Sequence, residues 1–102
     1  MMKKILLCCS AGMSTSMLVK KMEQAAQARG IECQIEALAV NAFSEAIKEY
    51  DVCLLGPQVR FQLEDLKKTA DEHGKNIAAI SMQDYGMMKG DEVLTQALSL
   101  IN

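Results

Sequence analysis

The sequence predicts an α/β domain in which a four-stranded parallel sheet carries helices on both faces. Two runs, Ile5-Leu6-Leu7-Cys8 and Val52-Cys53-Leu54-Leu55, are apolar without alternation, as strands buried on both sides must be. Each leads through a short polar loop into a segment with helical apolar spacing. Strand and helix alternate four times along the chain, which calls for one parallel sheet and right-handed crossovers.

The first run makes a central strand. From residue 16 to about 29, Leu18, Met22, Ala25 and Ala26 recur at helical spacing opposite Lys20, Lys21, Glu23, Gln24 and Gln27, and Gly30 ends the helix as a left-handed cap. Cys33-Gln34-Ile35-Glu36-Ala37 alternates, so this strand keeps a wet face and lies near a sheet edge. Phe43, Ala46, Ile47 and Tyr50 then describe a short helix, with Asn41 or Ser44 as its cap. The second apolar run is the other central strand. After Gly56, Pro57 suits the first turn of a third helix whose inner stripe is Val59, Leu63, Leu66 and Ala70, closed by Gly74. Ile77-Ala78-Ala79-Ile80 is the fourth strand, and residues 81–90 read as a Met- and Gly-bearing connection. The last helix starts near Asp91, a candidate cap, and buries Val93, Leu94, Ala97, Leu98 and Ile101.

With 102 residues the chain suits one domain, 1–102, that can bury a core without metal or disulfide staples. A net charge of −2, no basic block and only four aromatic residues argue against a nucleic-acid partner. No stretch reaches the roughly 18 apolar residues of a membrane span, so a cytoplasmic protein is expected. Cys8, Cys9, Cys33 and Cys53 lack paired C-x-x-C spacing, and three of them sit in or beside strand runs. They read as reduced thiols; no metal site and no cofactor are expected.

If the first and third strands are neighbours, the winding reverses between them and creates a switch point at their carboxyl ends. The loops after them, Cys9 to Thr15 and Gly56 to Gln58, then converge. In the first, Cys9-Ser10-Ala11-Gly12-Met13-Ser14-Thr15 is rich in small and hydroxylated residues, so several N–H groups can converge on an anion ahead of a helix start. A thiol at the mouth of such a loop sits in a positive field that favours thiolate, making it a nucleophile beside a phosphate cradle. Ser10, Ala11, Gly12, Met13, Ser14 and Thr15 are the candidate phosphate binders. Gly56, Gln58 and Tyr85 are candidate contacts from the neighbouring loops.

A cysteine loop opening a helix also occurs in low-molecular-weight tyrosine phosphatases, where it reads C-x5-R followed by Ser or Thr. Thr15 stands in the arginine's place here. Without the guanidinium clamp, a phosphocysteine would resist water and await another acceptor. The strings Ile5-Leu6-Leu7-Cys8-Cys9-Ser10-Ala11-Gly12-Met13-Ser14-Thr15-Ser16 and Leu54-Leu55-Gly56-Pro57-Gln58, with Tyr85-Gly86 a weaker third, resemble the IIB components of the lactose/cellobiose class of the bacterial phosphoenolpyruvate-dependent sugar phosphotransferase system. The resemblance implies strand order 2-1-3-4 and a relay. A phosphohistidine on a IIA partner phosphorylates Cys9, which passes the group to a sugar of the cellobiose, chitobiose or lactose class entering through a membrane IIC partner. It further implies a protein recruited to the inner face of the membrane; a monomer in isolation is expected.

Other residues read more plainly. Cys8, Cys33 and Cys53 suit the core. His73, the only histidine, suits the end of the third helix. Asp84 suits a cap or turn, although it could echo a general acid. Met13, Met17, Met82, Met87 and Met88 crowd the rim connections and suit a surface that greets two partners. The rival readings are a phosphatase or arsenate-reductase-like enzyme on Cys9, a redox protein on Cys8 and Cys9, and an interaction domain without catalysis.

Overall fold

A computed structural model of the chain describes residues 2–10 and 15–101. Its strands are β1 (Lys3–Cys9), β2 (Cys33–Ala39), β3 (Val52–Leu55) and β4 (Asn76–Ala79), all parallel in the order β2-β1-β3-β4. Helix α1 (Ser16–Arg29) joins β1 to β2, and α5 (Gly90–Leu100) ends the chain beside it. Between β2 and β3 lies α2 (Phe43–Ala46), and α3 (Leu63–Glu72) joins β3 to β4. The sheet order, the central position of β1 and β3 and the edge position of β2 all agree with the sequence reading.

Alternation of side chains along β1 divides the interior into two cores. Ile5 and Leu7 pack with Leu18 and Met22 of α1 and with Val93, Leu94 and Ala97 of α5. Leu6 and Cys8 point the other way and share a core with Phe43, Ile47, Cys53, Leu55, Val59 and Ala70. By alternation Cys9 faces the α1 and α5 side. Cys8 and Cys53 are buried together, and burial pushes the Cys53 thiol well up, aided by a hydrogen bond with Cys8. The pair is offset by two residues across the ladder, because Leu6 stands opposite Cys53 and Cys8 opposite Leu55. That offset separates the backbones beyond disulfide reach.

Four elements depart from the sequence expectation. The helix expected over 43–50 is broken into 3-10 turns, Val40–Ala42 and Ile47–Glu49, around a single α turn, and neither Asn41 nor Ser44 caps it. The third helix does not start at Pro57. Pro57–Gln62 is a 3-10 segment kinked at Val59 (φ −120°), which turns Val59 into the core before α3 begins. Residues 81–90 contain a helix, α4 (Met82–Gly86), whose first turn is held by the Ser81 hydroxyl accepting from the Asp84 amide at 3.1 Å. Finally, Asp91 lies inside the first turn of α5 and does not cap it. Its carboxylate instead pairs with Arg29, which also reaches the Thr95 hydroxyl at 2.7 Å and ties the end of α1 to α5. Cys33 is only partly buried, a consequence of its place at the start of an edge strand.

The amino edge of the sheet is closed by polar contacts. The Lys4 amide donates to Asp51 Oδ2 at 2.9 Å, Lys4 Nζ lies 5.4 Å from the Tyr50 ring centre, and Lys75 Nζ donates to the Tyr50 carbonyl at 2.7 Å. Burial, and then the neighbouring Glu36, push the Tyr50 hydroxyl up to about 12 from an ordinary value of 10. The folded state therefore keeps a proton that the unfolded chain gives up, and stability complete below pH 10 is lost as pH rises toward about 12. Tyr50→Phe should flatten the alkaline fall in stability across that window, read from urea midpoints at pH 9, 10 and 11.

Candidate functional site

At the carboxyl edge the three strand ends are stitched side by side. The Gly56 amide donates to the Cys8 carbonyl at 2.8 Å, and the Ile80 amide donates to the Leu55 carbonyl at 2.8 Å. This step-wise register sets Cys9, Gly56 and the start of α4 along one rim. It is the switch point, since the chain leaves β1 toward β2 on one side and leaves β3 toward β4 on the other.

Cys9 is the last residue of β1, so the strand runs one residue further into the loop than the apolar run suggests. Its thiol is fully buried and not open at a mouth as the sequence reading expects. Thr15 is equally buried, and its hydroxyl donates to Cys9 Sγ at 3.6 Å. Thr15 immediately precedes α1 without capping it through its side chain. The residue in the place of the phosphatase arginine thus addresses the sulfur directly, a role that sequence reasoning missed. The signal was a hydroxyl six residues after the cysteine, where a loop closing on itself returns to its start. Ser10 is exposed; Ala11, Gly12, Met13 and Ser14 lie outside the described residues.

A hydroxyl donated to sulfur favours thiolate over thiol. Thr15→Val keeps the shape and removes the donor, and should raise the Cys9 ionisation midpoint by on the order of one pH unit. Thr15→Ser should restore it. The pH dependence of alkylation by iodoacetamide checks both, because the midpoint reads ionisation independently of access.

On the neighbouring loop, Gly56 leaves a gap against Cys9. A methyl group on Gly56 would lie 2.8 Å from Gln58 Oε1 and 3.4 Å from Cys9 Cβ, so the Gln58 carboxamide folds back toward the cysteine. Beyond it Pro57, Gln58, Arg60, Met82, Tyr85 and Gly86 line a cleft of about 320 Å³. The three sequence-predicted neighbours of the loop, Gly56, Gln58 and Tyr85, are therefore brought to one rim. His73 is not. It caps the far end of α3, just before β4 begins, at the opposite edge of the sheet. Asp84 serves α4 through its backbone amide, as a turn residue. Met17, Met82 and Met87 are each more than half exposed on the rim connections, together with Phe61 at 80 % exposure.

Fold and site define a class: a small α/β domain of the low-molecular-weight tyrosine phosphatase type, with a cysteine at the switch point and threonine where the phosphatases carry arginine. Comparison with known proteins narrows it. The profile of the PTS system, Lactose/Cellobiose specific IIB subunit, matches residues 4–96. The oligo-beta-mannoside-specific EIIB component of Bacillus subtilis is 45 % identical over 100 residues, covering 98 % of this chain and 97 % of the relative. The cellobiose-specific EIIB component of Lactococcus lactis is 44 % identical over 105 residues with the same coverage. A solution structure of a cellobiose-specific IIB component from Borrelia burgdorferi superposes with a TM-score of 0.84 at 42 % identity, covering 100 % of this chain and 94 % of that one. The chain belongs to the lactose/cellobiose-specific IIB family of sugar phosphotransferase systems. It is a phosphotransferase component acting in sugar uptake, and the phosphatase alternative is not favoured.

Proposed function

We propose that Cys9 is the phosphoryl carrier, charged by a phosphohistidine on a IIA protein and discharged onto a sugar held by a membrane IIC protein. In the first step the thiolate attacks phosphorus, the S–P bond forms, the N–P bond breaks, and the released imidazole takes up a proton. In the second a sugar hydroxyl attacks the same phosphorus, losing its proton to solvent or to the acceptor site, and Cys9 leaves as thiolate. Transfers of this kind depend on positioning and charge more than on covalent equipment. The backbone N–H groups of residues 10–15 are the natural cradle for the three phosphoryl oxygens.

The observation that carries the reading is the Thr15 hydroxyl on Cys9 Sγ where a phosphatase would place arginine. It prepares a nucleophile without supplying the clamp that speeds attack by water. The acceptor is a sugar of the cellobiose, chitobiose or lactose class. The names of the relatives, oligo-β-mannoside and cellobiose, support β-linked oligosaccharides. No described helix is long and apolar enough to cross a membrane; in this reading the chain works as a monomer on the cytoplasmic side, recruited by IIC.

The test pairs two assays of the wild-type chain. It should accept label from phosphorylated IIA and lose it to cellobiose in membranes that contain IIC, while releasing no phosphate from an aryl phosphate. Rapid aryl phosphate hydrolysis would return the protein to the phosphatase class.

A further inference from the structure

The Tyr85 hydroxyl is the one buried side-chain oxygen or nitrogen among the described residues that has no hydrogen-bond partner. The residue is 9 % exposed, and its ring packs in the core shared with Leu7 and Leu18, the face of the sheet toward which Cys9 points. The large majority of buried side-chain polar atoms in folded proteins have a partner, so an orphan at a functional rim calls for an explanation.

The surrounding structure holds the orphan in place. Ser81 fixes the first turn of α4, and the Tyr85 amide closes that turn on the Ser81 carbonyl at 3.0 Å. Ile80, one residue before, is anchored to the end of β3, which is in turn anchored to the end of β1. Adjacent strands lie about 4.8 Å apart, so Ile80 stands two strands, or about 10 Å, from Cys9. Tyr85 follows five residues after Ile80, in α4 on the same rim. Tyr85 also borders the cleft with Gln58, the side chain that folds back over Gly56 toward Cys9.

We infer that the Tyr85 hydroxyl is a reserved donor for a phosphoryl oxygen carried on Cys9, a binding residue supplied by the third loop of the rim. The inference rests on Cys9 being the carrier. In the uncharged protein the hydroxyl goes unpaired, which destabilises that state; when the phosphoryl group arrives, a charge-assisted hydrogen bond forms. Tyr85 thereby shifts the transfer equilibrium toward the phosphorylated chain, partly replacing the missing arginine while keeping the site free of an added positive charge.

Tyr85→Phe removes only the oxygen. The uncharged variant should melt at or slightly above the parent, because an unpaired buried hydroxyl is gone. The equilibrium between phosphorylated IIA and this chain should move toward IIA by about tenfold, and the phosphorus-31 resonance of the charged chain should shift. An unchanged equilibrium and resonance in Tyr85→Phe, with a parent that charges normally, overturns this inference and leaves the role of Cys9 intact. A variant that melts far below the parent makes the hydroxyl structural and overturns it as well. A parent that takes no phosphoryl group on Cys9 overturns the carrier reading, and this inference with it.

Discussion

Cys9→Ser should fold as the parent does and carry sugar phosphorylation no higher than background. The substitution exchanges sulfur for oxygen at the end of β1 and leaves the Gly56 amide bonded to the Cys8 carbonyl, since only the side chain of residue 9 changes. Chemistry is lost because a serine hydroxyl is almost wholly protonated near neutrality, whereas a thiol begins within a unit or two of it and is helped further by Thr15. Serine would need a general base, and the single histidine, His73, stands at the opposite edge of the sheet. Phosphorylated IIA mixed with this variant should retain its label. A circular dichroism melt beside the transfer assay separates lost chemistry from lost fold.

Gly90→Ala should be the most destabilising glycine-to-alanine change among the described residues. A β-carbon at position 90 would lie 2.5 Å from the Lys21 carbonyl carbon, 2.6 Å from Lys21 Cβ and 2.7 Å from its carbonyl oxygen. These are backbone atoms of α1 and the root of a side chain, so nothing flexible can swing away and the two helices must separate. Their separation loosens Leu18, Met22, Val93 and Leu94 on the same face as Cys9. The expected cost is about 3 kcal/mol, which at this chain length lowers the melting temperature by roughly 12–20 °C. Thermal unfolding of Gly90→Ala against the parent checks it, and a loss below a few degrees would mean that α1 and α5 are not locked at this crossing. Gly56 provides the contrast. Its added methyl would meet first the mobile end of Gln58, so its glycine keeps space for the site more than it holds the fold together.

Much of this molecule is legible in the sequence because the signals that specify it are local. Unbroken apolar runs mark β1 and β3 as central, and alternation marks β2 as an edge. Gly30 and Gly74 both take left-handed backbone, each with φ of 67°, just where the helical patterns stop. The departures arise where tertiary packing overrides a periodic signal. Val59 fits the inner stripe of a continuous helix, yet the chain kinks there to bring it into the core, and the α helix begins only at Leu63. Asp91 looks like a cap by position, but Arg29, 62 residues away in the chain, claims its carboxylate. Helix α4 was signalled by Ser81 three residues ahead of Asp84, a pattern that is weak by itself when only one turn follows.

The site divides along the same line. Cys9 and the convergence of its loop with Gly56 and Gln58 follow from residue types and from where a parallel sheet reverses its winding. The contact of Thr15 with sulfur and the unpaired hydroxyl of Tyr85 do not. The first is a local contact, six residues along the loop, whose direction depends on side-chain orientation; the second depends on how α4 comes to rest on the rim, which no spacing rule contains.

The most direct test of the carrier role is to locate the phosphoryl group itself. The wild-type chain is incubated with phosphoenolpyruvate, the general phosphotransferase proteins and a cognate IIA, then analysed by intact mass and peptide mapping. A single acid-stable, iodine-labile adduct on the peptide containing Cys9 is the expected result. An adduct on His73, or no adduct while sugar uptake proceeds, would contradict it.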